Sequence, residues 1–407
     1  MEHNNEFWVV LMTLLAVSAF ITASFRRANL NPILGLVAAG VTLGPAGFSI
    51  IESGGGLDFL AELGIMFLLF VVGLELSLSR IKSMSKYIFG LGLLHFTFSV
   101  VAFFFIIYFI FEFEEKISIV LAAALSMSST AFVLQILGEK KALKTNNGRM
   151  TFSVLLFQDI MVAPLLAIVP MLAINHAIEV NEHQSVSMSF IPAIISMVII
   201  FIMARLFLEQ ILKAIHLSAK PDGFPSAVLL TAMGMGWASM QFGLSASLGA
   251  FLAGLALSDA DWRREVKTTI APFEHTLLAF FFISIGIKIP FNEGIVDVVL
   301  PMIGIAFLII LVKFITGFLA AIIVKLKLKK AIQLSLTLSQ AGEFSFMLIA
   351  VAANIGIINK EISSIWIGSA VISMIVTPLL INLGDYIAKD IVDLEEESKE
   401  NIDEDNK

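Results

Sequence analysis

Thirteen apolar segments, each long enough to cross or nearly cross a bilayer, follow one another through almost the whole chain. They lie at about 7–24, 32–48, 57–77, 87–111, 117–137, 151–174, 189–208, 223–240, 243–258, 272–289, 295–323, 331–354 and 361–387. The hydrocarbon core of a bilayer takes about 20 helical residues. It offers the backbone no hydrogen bonds, so a crossing segment has to satisfy its own amides as a helix. Composition agrees: 58% of residues are hydrophobic and 14% charged, with mean hydropathy +0.94. Soluble domains carry about 25% charge. Several segments are short and the eighth and ninth are nearly continuous, which leaves counts of 12 and 14 open. The expected fold class is an all-α membrane protein of about 13 transmembrane helices, with a membrane domain over 1–390.

Loop charge tests the count. Alternate loops hold Arg26 and Arg27; Arg80, Lys82 and Lys86; Lys140, Lys141, Lys144 and Arg149; Lys213 and Lys220; Arg263, Arg264 and Lys267; and Lys325, Lys327, Lys329 and Lys330. The loops between them hold only Lys116, Lys288 and Lys360, with acids such as Glu52, Glu112, Glu115, Glu179 and Glu293. A wrong helix count would scramble this alternation. The positive-inside rule then puts the N-terminus outside and the C-terminus in the cytoplasm of a multi-pass cell-membrane (inner or plasma membrane) protein. The first segment lacks an Ala-x-Ala-like cleavage site and a basic flank, so it reads as a retained helix. The net charge of -7 reflects in good part the acidic stretch at 391–407, read as a solvated or disordered cytoplasmic tail rather than a partner signal. With 0 cysteines, disulfides and thiolate chemistry are excluded.

The chain also resembles itself at an offset of about 211–214 residues. LGLVAAGVTL at 34–43 echoes LGAFLAGLAL at 248–257; FLLFVVGLEL at 67–76 echoes FFFISIGIKI at 280–289; LSMS at 125–128 echoes LTLS at 336–339. The repeats would span about 32–174 and 243–387. An offset of seven helices inverts the second copy, and inverted repeats are typical of secondary transporters, with the substrate site near mid-membrane.

Charges inside the membrane are costly and call for a reason. Asp159 falls mid-way along the sixth segment, Lys313 mid-way along the eleventh and Glu343 half-way along the twelfth. Glu62, Glu75, His95, Arg205, Glu274 and His275 lie nearer segment ends or interfaces. Asp159 could be a buried carboxyl held neutral by a neighbour. The functional alternative is a carboxylate that binds a proton or a metal cation in competition, since a carboxyl removed from water holds its proton more tightly. Exposed to each side in turn, one such group suffices for exchange. Lys313 reads equally as a structural salt bridge to Asp159 or Glu343 and as a second titrating group, a choice that sets transport stoichiometry.

Two segments carry polar runs where apolar residues are expected. The fifth contains LSMSSTAF, with Ser126, Ser128, Ser129 and Thr130; the twelfth contains LTLSQAGEF, with Thr337, Ser339, Gln340, Gly342 and Glu343. Small residues could simply be packing helices together. Their matching places in the two repeats favour interrupted helices, whose hydroxyls satisfy freed backbone groups and whose carbonyls and half-helix ends bind ions.

At this level of detail the chain resembles a known family. GRMTFSVLLFQDIMVAPLLAIVP at 148–170 is similar to the signature helix of the Kef-type potassium-efflux antiporters, within the second monovalent cation:proton antiporter group. FLLFVVGLELS, LSMSSTAFVLQIL, FGLSASLGAFLAGLALSD and SQAGEFSFML resemble further family segments in the same order. The resemblance implies a sodium/proton antiporter-like fold of 13 helices, with a dimerisation domain and a six-helix core, and two broken helices crossing beside Asp159. It also implies a homodimer that works by elevator-type alternating access. The family's ion-binding acid falls on Asp159 and its core lysine on Lys313. Gln158 stands where sodium-exchanging relatives carry Asn or Asp, and so resembles potassium-type members. The expected ion and proton ligands are Asp159, Gln158, Ser129 and Thr130. Ser128, Ser339, Gln340, Glu343 and Lys313 serve as broken-helix and charge partners.

The expected function is therefore exchange of a monovalent cation, K+ favoured and Na+ open, for protons. Its partners are those ions, lipid and a second copy; no resident cofactor and no nucleic acid are expected. Kef-type proteins usually carry a Rossmann-like regulatory domain after the last helix. This chain ends about 20 residues beyond it without a G-x-G-x-x-G, so it reads as a shorter member or as a piece of a longer chain whose regulatory nucleotide-binding part lies elsewhere. A sodium-coupled solute symporter of related fold is one rival, and a ligand-gated K+ efflux channel-like pathway another; no TVGYG-like filter element is present for the latter. An enzyme is not expected: the chain has no H-E-x-x-H or G-x-S-x-G, and only one deep aspartate where an intramembrane aspartyl protease needs two.

Overall fold

The computed structural model describes the chain except residues 1, 29–31, 52–54, 76–83, 144, 178–186, 219–222, 243, 261, 290–294 and 406–407. Arg80, Lys82, Lys144, Lys220, Glu52, Glu179 and Glu293 of the loop-charge pattern thus lie outside the described residues. All regular structure among the described residues is helical. The helices are α1 (Glu2–Arg27), α2 (Pro32–Leu43), α3 (Gly55–Glu75), α4 (Ser85–Phe109, with a π turn at Ile88–Gly92), α5 (Glu115–Leu125), α6 (Thr130–Glu139), α7 (Asn146–Ala177) and α8 (Ser187–Ser218). They continue with α9 (Phe224–Gln241), α10 (Ala246–Ala256), α11 (Arg263–Ile287), α12 (Ile295–Ile323), α13 (Leu328–Thr337), α14 (Glu343–Asn354) and α15 (Lys360–Asp405). Among the described residues, five helices are long and apolar enough to cross a membrane, and a sixth if the two parts of α7 count as one span.

The boundaries show what apolar patterning misses. α11 starts at Arg263, well before the apolar stretch at 272, and α15 continues to Asp405 through the acidic segment. A helix keeps its backbone bonds across polar turns, so hydropathy marks only the part in apolar surroundings. The nearly continuous eighth and ninth segments are separate helices, because the Ser245 hydroxyl caps α10 by accepting from the Leu248 N–H at 3.2 Å.

The chain divides into two compact units. The first comprises Met1–Ser83, Ile160–Val298 and Val351–Ile365. Its core joins Met66, Phe67, Phe70 and Leu74 of α3 to Val228 of α9, Ala250 and Ala253 of α10, and Val266 and Ile270 of α11. Helix crossings here are backbone-close. A Cβ on Gly40 would lie 2.1 Å from the Ile283 carbonyl oxygen, and one on Gly286 2.1 Å from that of Val37. A Cβ on Gly73 would meet the Phe251 oxygen at 2.3 Å, and one on Gly254 the Phe70 oxygen at 2.0 Å. Gly40 and Gly254 hold the same place in the echoed segments, as do Gly73 and Gly286. Exchanging α2 with α10 and α3 with α11 therefore turns the first contact into the second. Close approach of helix backbones through small residues is how packing is gained where lipid removes the hydrophobic drive.

The second unit comprises Met84–Asp159, Val299–Ala350 and Trp366–Lys407. Its core brings Leu91 of α4, Val133 and Leu137 of α6, Met150, Val154 and Leu155 of α7, Ala320 of α12, and Leu334 and Leu338 at the end of α13 together. The expected site residues all belong to this unit.

Candidate ion-binding site

The fifth and twelfth apolar segments are each broken in the middle, and the breaks pack on one another. α5 ends as the Ser126 hydroxyl donates to the Ala122 carbonyl at 2.7 Å, and α6 starts as the Ser129 hydroxyl accepts from the Phe132 N–H at 3.2 Å. The second break runs over 338–342. There the Gly342 N–H donates to the Met127 carbonyl at 3.0 Å and to the Ser345 hydroxyl at 3.2 Å, so Ser345 closes the start of α14 as the third residue of a capping box does. Ser128 Oγ donates to the Leu338 carbonyl at 3.0 Å and Ser345 Oγ to that of Ala124 at 2.6 Å. The fit needs glycine: a Cβ on Gly342 would lie 2.5 Å from the Ser129 nitrogen. Serines thus do at the breaks what the absent helical bonds would have done.

α7 sets Gln158 and Asp159 against this crossing. Adjacent helical residues point about 100° apart, so the two serve different groups. Gln158 is fully buried and its amide is spoken for: Oε1 accepts from the Ser128 N–H at 2.8 Å, and Nε2 donates to the Ser126 carbonyl at 3.2 Å and lies 3.2 Å from His95 Nδ1. Expected as an ion ligand, Gln158 is placed as a strut that holds the unwound backbone of the first break. Asp159, 9% exposed, accepts from the Thr130 hydroxyl at 2.9 Å. Thr130 is the first residue of α6, where the helix macrodipole favours negative charge.

Lys313 departs from expectation. One of its two readings is a salt bridge to Asp159 or Glu343, the other a second titrating group. Instead its three ammonium protons go to uncharged oxygens: Ser128 Oγ at 2.8 Å, the Gln340 carbonyl at 2.8 Å and the Ser126 carbonyl at 3.2 Å. Those oxygens come from both breaks, and Ser126 terminates α5, where carbonyls without helical partners carry partial negative charge. A fully buried ammonium is tolerable on such terms because each of its donors is satisfied.

Among the other expected residues, Ser339, in the second break, is turned back onto the Ser335 carbonyl of α13 at 2.5 Å. Glu343 is buried in the first turn of α14. Gln340 is fully buried, and among the described residues neither its Oε1 nor its Nε2 has a hydrogen-bond partner. An amide oxygen left open beside a broken helix is the neutral ligand a dehydrated cation takes. His95, grouped with the residues nearer segment ends or interfaces, is fully buried against Gln158. Its signal was a lone imidazole inside a mid-helix run of apolar and aromatic residues, LLHFTF. Ser373 on α15, which accepts from the Ala341 N–H at 3.1 Å, carried no sequence signal.

Around the two helix interruptions the second unit holds two buried carboxyls, Asp159 and Glu343, the Thr130 hydroxyl that donates to Asp159, and the Gln340 amide, with the Lys313 ammonium turned onto neutral oxygens. It can hold a proton or a small cation. Over 383 residues the chain is 35% identical to K(+) efflux antiporter 2, chloroplastic, of Arabidopsis thaliana, covering 93% of this chain and 32% of that protein. It is 33% identical over 425 residues to K(+) efflux antiporter 3, chloroplastic, of the same plant, covering 98% and 54%. The chain thus spans about a third to about half of the length of these relatives. A solved structure of the sodium proton antiporter MjNhaP1 from Methanocaldococcus jannaschii shares the fold, with TM-score 0.72 and 19% identity over 95% of this chain and 100% of that one. Residues 13–382 match the family described as sodium/hydrogen exchanger, transmembrane. The Kef-type resemblance of the motifs holds along the chain, and the chain belongs to the family described as sodium/hydrogen exchanger, transmembrane.

Proposed function

We propose that this chain exchanges a monovalent cation for protons, that Asp159 binds the two in competition, and that K+ is the favoured cation. The observation that carries the reading is the Asp159 carboxylate, buried and hydrogen-bonded by Thr130 at the break of a helix. The K+ preference rests on the K(+) efflux relatives and on Gln158, which adds no second charge beside Asp159. The wider picture belongs to the same proposal: thirteen crossings arranged as an inverted repeat, a homodimer in a cell membrane with the N-terminus outside and the lysine-rich loops cytoplasmic, and elevator-type movement of the ion-binding unit. The exchanged glycine contacts of the first unit support the repeat.

Purified protein in liposomes with an internal pH dye tests this. Added K+ should move protons, Na+ should do so less well, and Asp159→Asn should abolish both signals. A cation-driven pH change that survives Asp159→Asn overturns the role of the carboxylate. Sodium-dependent solute uptake without proton movement would favour the symporter.

A further inference from the structure

The second unit holds a cavity of about 510 Å³ whose walls exclude Asp159. It is formed by the end of α6, the turn leading into α7, the start of α13 and the middle of α15, and its charged lining is Lys140, Lys329, Lys330 and Asp385. The turn is firmly built. Lys141 adopts φ 55°, Gly148 sits where a Cβ would lie 2.2 Å from the Ala142 carbonyl oxygen, and the Thr145 hydroxyl accepts from the Gly148 N–H at 3.0 Å. Asp385 is committed at both oxygens, one to Lys140 at 2.7 Å and the other to the Gln333 amide at 3.1 Å. Lys140 further donates to Asn382 at 2.8 Å. Among the described residues, Lys329 and Lys330 have no carboxylate partner. Three lysines against one aspartate leave the lining with two uncompensated positive charges.

A phosphate monoester carries about -1.5 to -2 at neutral pH, which matches that excess. Lysine ammonium groups are strong point-charge ligands for phosphate. The volume lies within the roughly 300–1,000 Å³ of small-molecule sites and leaves room for an organic group. We infer that this cavity binds a phosphate-bearing organic anion held by Lys140, Lys329 and Lys330. The ligand would bridge the ends of α6 and α13 remote from the two breaks, and so tie together the half-helices that meet at the ion site. Its source is a soluble metabolite or a lipid headgroup.

The full chain, in detergent and in vesicles, distinguishes these. Soluble probes are glycerol phosphate and inositol trisphosphate, titrated calorimetrically; the vesicles contain phosphatidylcholine with or without phosphatidylinositol phosphate. A soluble ligand gives saturable binding that weakens with added salt. It should weaken at least about tenfold in Lys329→Gln/Lys330→Gln and stay unchanged in Lys116→Gln, which lies outside the lining. A headgroup ligand instead raises the melting temperature only in the phosphoinositide vesicles, and the double variant loses that rise. If no probe binds saturably and the phosphoinositide gives no rise, or if the double variant behaves as wild type, the site does not exist.

Discussion

At the residue scale, two polar side chains, Gln158 and Thr130, serve unlike purposes, and substitution separates them. Gln158 is committed to backbone groups, so Gln158→Leu leaves the Ser128 N–H without its acceptor, at about 1–3 kcal/mol for the buried group orphaned, while the Ser126 carbonyl keeps its bond from Lys313. A fall in melting temperature should accompany its loss of transport. Thr130→Val keeps shape and removes only the donor to Asp159. Hydrogen bonds to charged groups contribute about 1.5–3 kcal/mol, so the half-saturating cation concentration should rise roughly tenfold or more, with melting nearly unchanged. If Gln158→Leu instead altered the K+/Na+ ratio at unchanged stability, Gln158 would be a ligand after all. Sequence could nominate Asp159 because a carboxylate in lipid stands out. It could not give most of the partners of Lys313 and Gln158, because apart from the Ser128 hydroxyl and the His95 ring these are backbone carbonyls and amides, which every residue carries and no sequence pattern marks.

At the element scale, the breaks were legible and the caps were not fully so. Runs of Ser, Thr and Gly in apolar segments announce interruption, and the interruptions fall at 126–129 and 338–342, within those runs. The start of α11 and the end of α15 were hidden because polar turns belong to helices as readily as to loops. The crossing itself rests on one glycine. In Gly342→Ala the new methyl would lie 2.5 Å from Ser129 N and 2.6 Å from the Ser128 carbonyl carbon, both backbone atoms that cannot rotate away. Overpacking of this kind costs about 1–3 kcal/mol and here also drives the breaks apart. Exchange in liposomes should therefore be lost. Gly304→Ala, where nothing lies within 4 Å, is the control and should transport as wild type. Equal activity of the two variants would show that contact between the breaks is dispensable.

At the scale of the whole molecule the question is how much charge a transport cycle moves. Asp159 binding a proton and Asp159 binding a monovalent cation are both neutral, so a carrier that titrates only this group returns one proton for one cation. Net charge would move only if a second group changed protonation in step; Lys313, Glu343 and His95 are all buried in the same unit, and the lysine is the one read as a second titrating group. Its geometry argues against that. The ammonium already donates to three oxygens of the two breaks, and deprotonation would remove at least one of those bonds. Losing such bonds is costly in a buried site, which makes the charged lysine part of the scaffold through the cycle. Exchange should then be electroneutral. On a solid-supported membrane, a K+ concentration jump should give no transport current beyond that of Asp159→Asn, while the pH dye in the same liposomes reports proton movement. A current that rises with the dye signal and disappears in Lys313→Met would mean that Lys313 gives up its proton each cycle, and that its three hydrogen bonds describe only one state of the carrier.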